Sequence, residues 1–236
     1  MHALVREELA PAGRLPVVLV HGAAVSSRHM AETAKALATH FPVYAPDFPG
    51  HGDSETPPRV LDAAGLAESV AAWLTAAAIP RAHLLGNSFG CQVIAELAVR
   101  HPELVDRVVL QGPTVDPHAH GPPQIARWFV NSVREGMTQP NATFGQWAKA
   151  GPRVFMRTLL FMDRHRIEHL LPRVQAPALV VRGSRDPIIP QRWAEEATRL
   201  LPNGRLEVIE GETHTIVLSA PHRLARVVVP FLREQG

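Results

Sequence analysis

The chain is 236 residues long, a size at which an α/β domain usually stays single and builds a full core without a disulfide or metal staple. Its one cysteine, Cys91, excludes a disulfide framework within the chain and any cysteine-rich zinc module. Lys plus Arg exceeds Asp plus Glu by only two, 24 against 22, too little for a nucleic-acid or anionic-membrane footprint.

Charge interrupts Met1 to Glu8 before an apolar signal core can form, and no apolar run approaches the roughly 20 residues that span a bilayer. These features point to a cytoplasmic protein without a membrane partner. Val17-Val18-Leu19-Val20 is a continuous apolar run, as suits a strand covered on both faces. A helix pattern follows from Arg28 to His40, with Ser26 or Ser27 as its N-cap, and Pro42 to Pro46 reads as the next strand. A loop rich in Gly and Pro, Asp47 to Pro58, leads to a helix over Leu61 to Ala78. Arg81 to Gly86 is a strand; Val93, Ile94, Leu97 and Ala98 then mark an amphipathic helix that stops at His101-Pro102. Further strands fall at Arg107 to Gln111, Ala178 to Arg182 and Leu206 to Ile209, and Ser219 is placed to cap a closing helix that ends near Arg233.

The alternation of strands and helices predicts an α/β fold with a mostly parallel, doubly wound sheet. It lapses between Gly112 and Ala176, where aromatic helical pieces are separated by Gly and Pro. This segment reads as a helical lid, residues 112–176, inserted into a core formed by 1–111 and 177–236.

Gly86-Asn87-Ser88-Phe89-Gly90 lies where a strand turns into a helix, the context in which G-x-S-x-G marks a nucleophile. Flanking glycines leave room for a strained turn, which lifts the Ser88 hydroxyl above the sheet edge and aims the helix N-terminus at developing negative charge. A serine needs a base, and His214, just after the last strand, is the best placed of thirteen histidines. The base needs an orienting carboxylate. Asp186 follows the preceding strand and gives the chain order Ser88, Asp186, His214; Asp116 is the reserve. Two backbone N–H groups must face the oxyanion. One is that of Phe89, and the other comes from His21-Gly22-Ala23-Ala24, with Ala23 preferred over Ala24.

These pieces resemble the α/β-hydrolase-fold proteins, in the lid-bearing branch of esterases and C–C bond hydrolases, over nearly the whole chain. The matching runs are Val20-His21-Gly22, Asp47-Phe48-Pro49-Gly50-His51-Gly52-Asp53-Ser54, the Ser88 elbow, Gly183-Ser184-Arg185-Asp186 and Gly211-Glu212-Thr213-His214. The resemblance implies nucleophile, acid and base roles for Ser88, Asp186 and His214, with a lid after the sixth strand. Only sixteen residues precede Val17, so the family's leading hairpin should be abbreviated. Ser88 also excludes the branches that need an aspartate nucleophile.

Rival signals are weaker. His165-Arg166-Ile167-Glu168-His169 matches a zinc-peptidase pattern, but an apolar stripe of Ile167, Leu170, Leu171 and Val174 puts the histidines on a polar face without a third ligand. Neither a metal nor an organic cofactor is implied. The expected function is hydrolysis of a carboxylic ester with a small-to-medium, largely apolar acyl or aryl group, by a monomer or homodimer. Ala24, Trp128, Phe129, Phe144, Trp147, Phe155 and Phe161 are the expected substrate pocket. Cleavage of a C–C bond in a vinylogous diketo acid is the alternative, although the Gly-Pro-Gly stretch of that branch is absent after His21-Gly22. A hydrolase-fold ligand-binding protein with little turnover is the third reading.

Overall fold

The computed structural model describes residues 1–236 except 8, 9, 12, 138, 139, 235 and 236, and describes only the backbone at 127, 135, 136, 140–144 and 146. Seven strands form one sheet in the order β1-β3-β2-β4-β5-β6-β7. They are β1 (Ala3–Arg6), β2 (Val17–Val20), β3 (Val43–Pro46), β4 (Ala82–Asn87), β5 (Val105–Gln111), β6 (Ala178–Gly183) and β7 (Gly204–Ile209). All neighbours run parallel except β1, which lies antiparallel to β3 with Ala3 opposite Pro46.

The central strands are apolar throughout because both faces are covered. Alternate residues enter opposite cores. Val18, Val20, Leu84, Val108 and Val180 pack under α2 (Ala63–Ala76), α3 (Phe89–Arg100) and α7 (Gln191–Leu200). Val17, Leu19, Leu85, Val109 and Val181 face α1 (Ala31–Ala38), α8 (Ile216–Ser219) and α9 (Pro221–Arg233). Among the described residues, no helix is long and apolar enough to cross a membrane.

Each expected strand is present, and the leading hairpin is reduced to the single strand β1. The helical segment therefore follows the fifth strand of this sheet; a sixth-strand placement counts a hairpin of two. The segment holds α4 (Pro122–Gly136), α5 (Pro140–Arg164) and α6 (Ile167–Leu170). Gly151, at φ 77°, breaks α5 just before Pro152. Its far end is tied to α3, where the buried Gln92 amide donates to the carbonyls of Thr114 and Met162, both at 3.0 Å.

Two local expectations change. The helix expected from Arg28 starts as a 3-10 turn, Ser27–Met30, with Ser26 Oγ accepting from the Arg28 N–H at 3.4 Å. Ser219 does not cap the last helix. It ends α8, and α9 starts at Pro221, whose ring fixes a helical φ without needing a capped N–H.

Candidate active site

Carboxyl ends of parallel strands face one edge of the sheet, where ligands of such folds bind. Ser88 follows β4, Asp186 and His214 lie in the turns after β6 and β7, and the His21–Ala24 loop follows β2. Ser88 itself sits at φ 54°, ψ −117°, a left-handed conformation that costs of order 1–3 kcal/mol and persists only when its surroundings enforce it. They do. A Cβ on Gly86 would lie 2.7 Å from the Gly90 carbonyl, and one on Gly90 would collide with the Val20 carbonyl oxygen. Both flanking glycines are therefore dictated by close approach of the backbone.

His214 and Asp186 are both buried. His214 Nδ1 lies 2.8 Å from Asp186 Oδ2, while Asp186 Oδ1 accepts the N–H groups of Ile188 (2.8 Å) and Ile189 (2.9 Å). A carboxylate held by three donors is fixed in place, and it fixes the ring beside it. Asp116, the reserve carboxylate, is engaged elsewhere: it pairs with the Arg192 guanidinium through both oxygens.

Ser88, His214 and Ala23 line one cavity of about 50 Å³. Phe89 opens α3, so its N–H belongs to the first turn, which has no intrahelical acceptor. The loop carrying Ala23 is braced by His21, whose Nδ1–H donates to the Gly22 carbonyl (2.9 Å) and whose Nε2 accepts from the Phe48 N–H (3.1 Å). That ring stays neutral: burial, with His51 nearby, lowers its pKa to about 3.

Trp128 and Trp147 line the cavity; Ala24, Phe129, Phe155 and Phe161 are not among its described walls, and the Phe144 side chain lies outside the described residues. Phe129 follows Trp128 by one helical step, about 100° around the axis, and is 44% exposed. Phe155 packs behind Trp147, ring centres 5.0 Å apart. Ala24, at φ 56°, is buried in the turn. Val25, His29, Ser132 and Thr215 are walls that sequence reasoning missed. Trp128 is also buried, and its Nε1 has no hydrogen-bond acceptor among the described residues.

Gly112, at φ 63°, was missed too. A Cβ there would lie 2.7 Å from His214 Cε1 and 2.9 Å from Nδ1, so the imidazole fills space that a side chain would take. The His165 and His169 pair is divided by the break between α5 and α6, and His165 Nε2 meets Glu96 Oε1 at 3.0 Å. His2, Asp47 and Asp53 cluster closely enough to hold a cation. Asp47, however, already accepts the N–H groups of Ser27 and Asp53, and Asp53 pairs with Lys149 and Arg28.

The chain is similar over most of its length to several known proteins. The chain is 29% identical over 243 residues to a pimeloyl-[acyl-carrier protein] methyl ester esterase of Neisseria meningitidis serogroup B, covering 92% of each chain. A thermophilic esterase from Thermogutta terrifontis superposes with a TM-score of 0.82 at 22% identity, over 98% of this chain and 92% of that one. The 2-hydroxy-6-oxo-6-phenylhexa-2,4-dienoate hydrolase of Rhodococcus sp. strain RHA1 gives 0.80 at 24% identity, over 99% and 94%. Residues 17–227 match the model of one family, and with that match the chain belongs to the alpha/beta hydrolase family.

Proposed function

We propose that the chain is a serine esterase. Ser88 Oγ attacks the ester carbonyl while His214 takes its proton, and Asp186 holds the ring in the tautomer with the proton on Nδ1, so that Nε2 acts as base. The oxyanion is received by the N–H groups of Phe89 and Ala23. His214 then gives its proton to the departing alkoxide, leaving an acyl group on Ser88. Water, deprotonated by the same histidine, releases the acid. The observation that carries this reading is a strained Ser88 facing one cavity with a histidine whose Nδ1 is 2.8 Å from a buried carboxylate. Likeness to a methyl ester esterase supports the choice of bond. The test is intact mass after treatment with a small fluorophosphonate: one adduct, located on Ser88, is expected, and a folded protein with no adduct would reject the mechanism.

Residues 112–176 act in this proposal as a lid. Typical ligand pockets occupy about 300–1,000 Å³, and the present cavity has room for only a few water molecules. In this proposal α4 and the first half of α5 move away to admit an ester. The Lys149–Asp53 pair, 2.5 Å apart, joins that half to the core, but both side chains are largely exposed and such pairs hold weakly.

The walls favour a largely apolar acyl or aryl group that also carries a hydrogen-bond acceptor. Val25 and Trp147 supply apolar surface, and the Trp128 N–H is a buried donor without an acceptor among the described residues. Leaving such a donor unmet costs about 1–3 kcal/mol, which an acceptor on the substrate would offset. Trp128→Phe should lower the preference for a keto- or alkoxy-substituted ester over its alkyl isostere about tenfold. Ratios of kcat/KM for matched pairs measure this, and an unchanged ratio would remove the acceptor from the proposal.

Gly112→Ala tests the packing around the base. The added methyl must displace the His214 ring, and displacement of order 1 Å costs about 10²-fold in rate. Hydrolysis of a simple aryl ester, with a crystal structure of the variant, would check both halves of that expectation.

A further inference from the structure

Gln111 is the last residue of β5 and closes its apolar run. Val108, Val109 and Leu110 are apolar, as a buried strand requires; Gln111 is fully buried yet carries an amide. Such a group is costly to bury unless each end finds a partner. Here both do. Oε1 accepts from Asn87 Nδ2 at 2.6 Å, and Nε2 donates to the carbonyl oxygen of His214 at 3.0 Å. The backbone carbonyl of the same residue accepts the N–H of Ser88 at 2.9 Å.

The orientation of the amide is forced. A carbonyl oxygen such as that of His214 only accepts, so the NH₂ end of Gln111 must face it. Its oxygen then faces Asn87, which must offer its own NH₂. The residue before the nucleophile, the nucleophile's backbone and the loop carrying the base thus all converge on one side chain and its carbonyl. Gly112, immediately after, leaves the space that the imidazole occupies.

We propose that Gln111 is a positioning residue that fixes the His214 loop relative to the Ser88 elbow, so that base and nucleophile meet without reorganisation. This rests on the reading of Ser88 as nucleophile and His214 as base. Gln111 touches neither reacting atom; it acts through Asn87 and the His214 backbone. A role of this kind affects the chemical step more than substrate affinity, because a small displacement of a base from its reacting partner is expensive in rate.

Two variants separate its arms. Gln111→Met keeps length and approximate volume but removes both side-chain bonds. Gln111→Glu, when ionised, still accepts from Asn87 but turns a second acceptor against the His214 carbonyl. Both should label with fluorophosphonate at least about tenfold more slowly per folded molecule, with kcat reduced in proportion and KM within about threefold. The low-field proton resonance of His214 Nδ1–H should shift or broaden in both, a change that lost stability alone would not produce in the folded fraction. If Gln111→Met does not fold, the glutamate variant, assayed at a pH where its carboxyl is ionised, tests the His214 arm by itself. Wild-type protein that forms no Ser88 adduct would overturn the underlying mechanism. Wild-type protein that labels, beside a folded variant that labels equally fast with an unshifted resonance, would overturn the positioning role alone.

Discussion

Replacing Ser88 by alanine is expected to reduce ester hydrolysis by roughly 10⁶-fold while leaving the thermal midpoint within a degree or two of wild type. The rate loss follows from covalent catalysis: without Oγ no acyl-enzyme forms, and the remaining oxyanion donors sustain only a small residue of catalysis over water. Stability should barely change because Ser88 makes no side-chain cap bond to α3, and alanine meets the same left-handed backbone cost. Full progress curves and a thermal melt on the two proteins would check this. Retention of more than about a hundredth of the wild-type rate would point to another nucleophile. Ligand binding is expected to survive the substitution.

Asp186→Asn should lower kcat by roughly 10⁴-fold with little change in KM. The asparagine oxygen can still accept the N–H groups of Ile188 and Ile189, so the turn after β6 survives. Its NH₂, however, now faces His214 Nδ1 and donates to it. The ring is pushed into the tautomer with its proton on Nε2, where it cannot accept the serine proton. Asp116→Asn is the matched control. It weakens the pair with Arg192 and should leave kcat within a few-fold, whereas a loss comparable to that of Asp186→Asn would make Asp116 the orienting acid.

Much of this arrangement is legible in the sequence because a few physical demands leave narrow residue choices. Strands buried on both faces must be apolar at every position, so Val17–Val20 and Ala178–Val181 stand out without periodicity analysis. The elbow must have glycine at 86 and 90 because backbone passes within contact of both Cα atoms. Asp186 and His214 are readable from their place after strands, given a sheet whose carboxyl ends share one edge. The helical segment is harder. Trp128 and Phe129 are equally aromatic neighbours, and which one faces the cavity depends on a helix rotation that sequence pattern does not fix to within one residue. Gln111 left a faint signal, a polar residue closing an apolar strand before a glycine. His29 left none, since its entry into the cavity depends on the 3-10 turn that brings it there.

The sheet joins β5 directly to β6, with Val108 opposite Ala178, although the whole helical segment lies between them in the chain. Closing so long a connection carries an entropic penalty that local pairing does not, and chains are synthesised from the N-terminus, with early parts free to order first. β1 to β5 and the elbow can therefore organise on the ribosome while the acid and base have yet to be made. In the proposed mechanism, a nascent chain in that state carries an ordinary, unreactive serine, and chemistry begins only when β6 and β7 dock. Recovery of esterase activity during refolding should then trail recovery of helical signal and report on the last event of assembly.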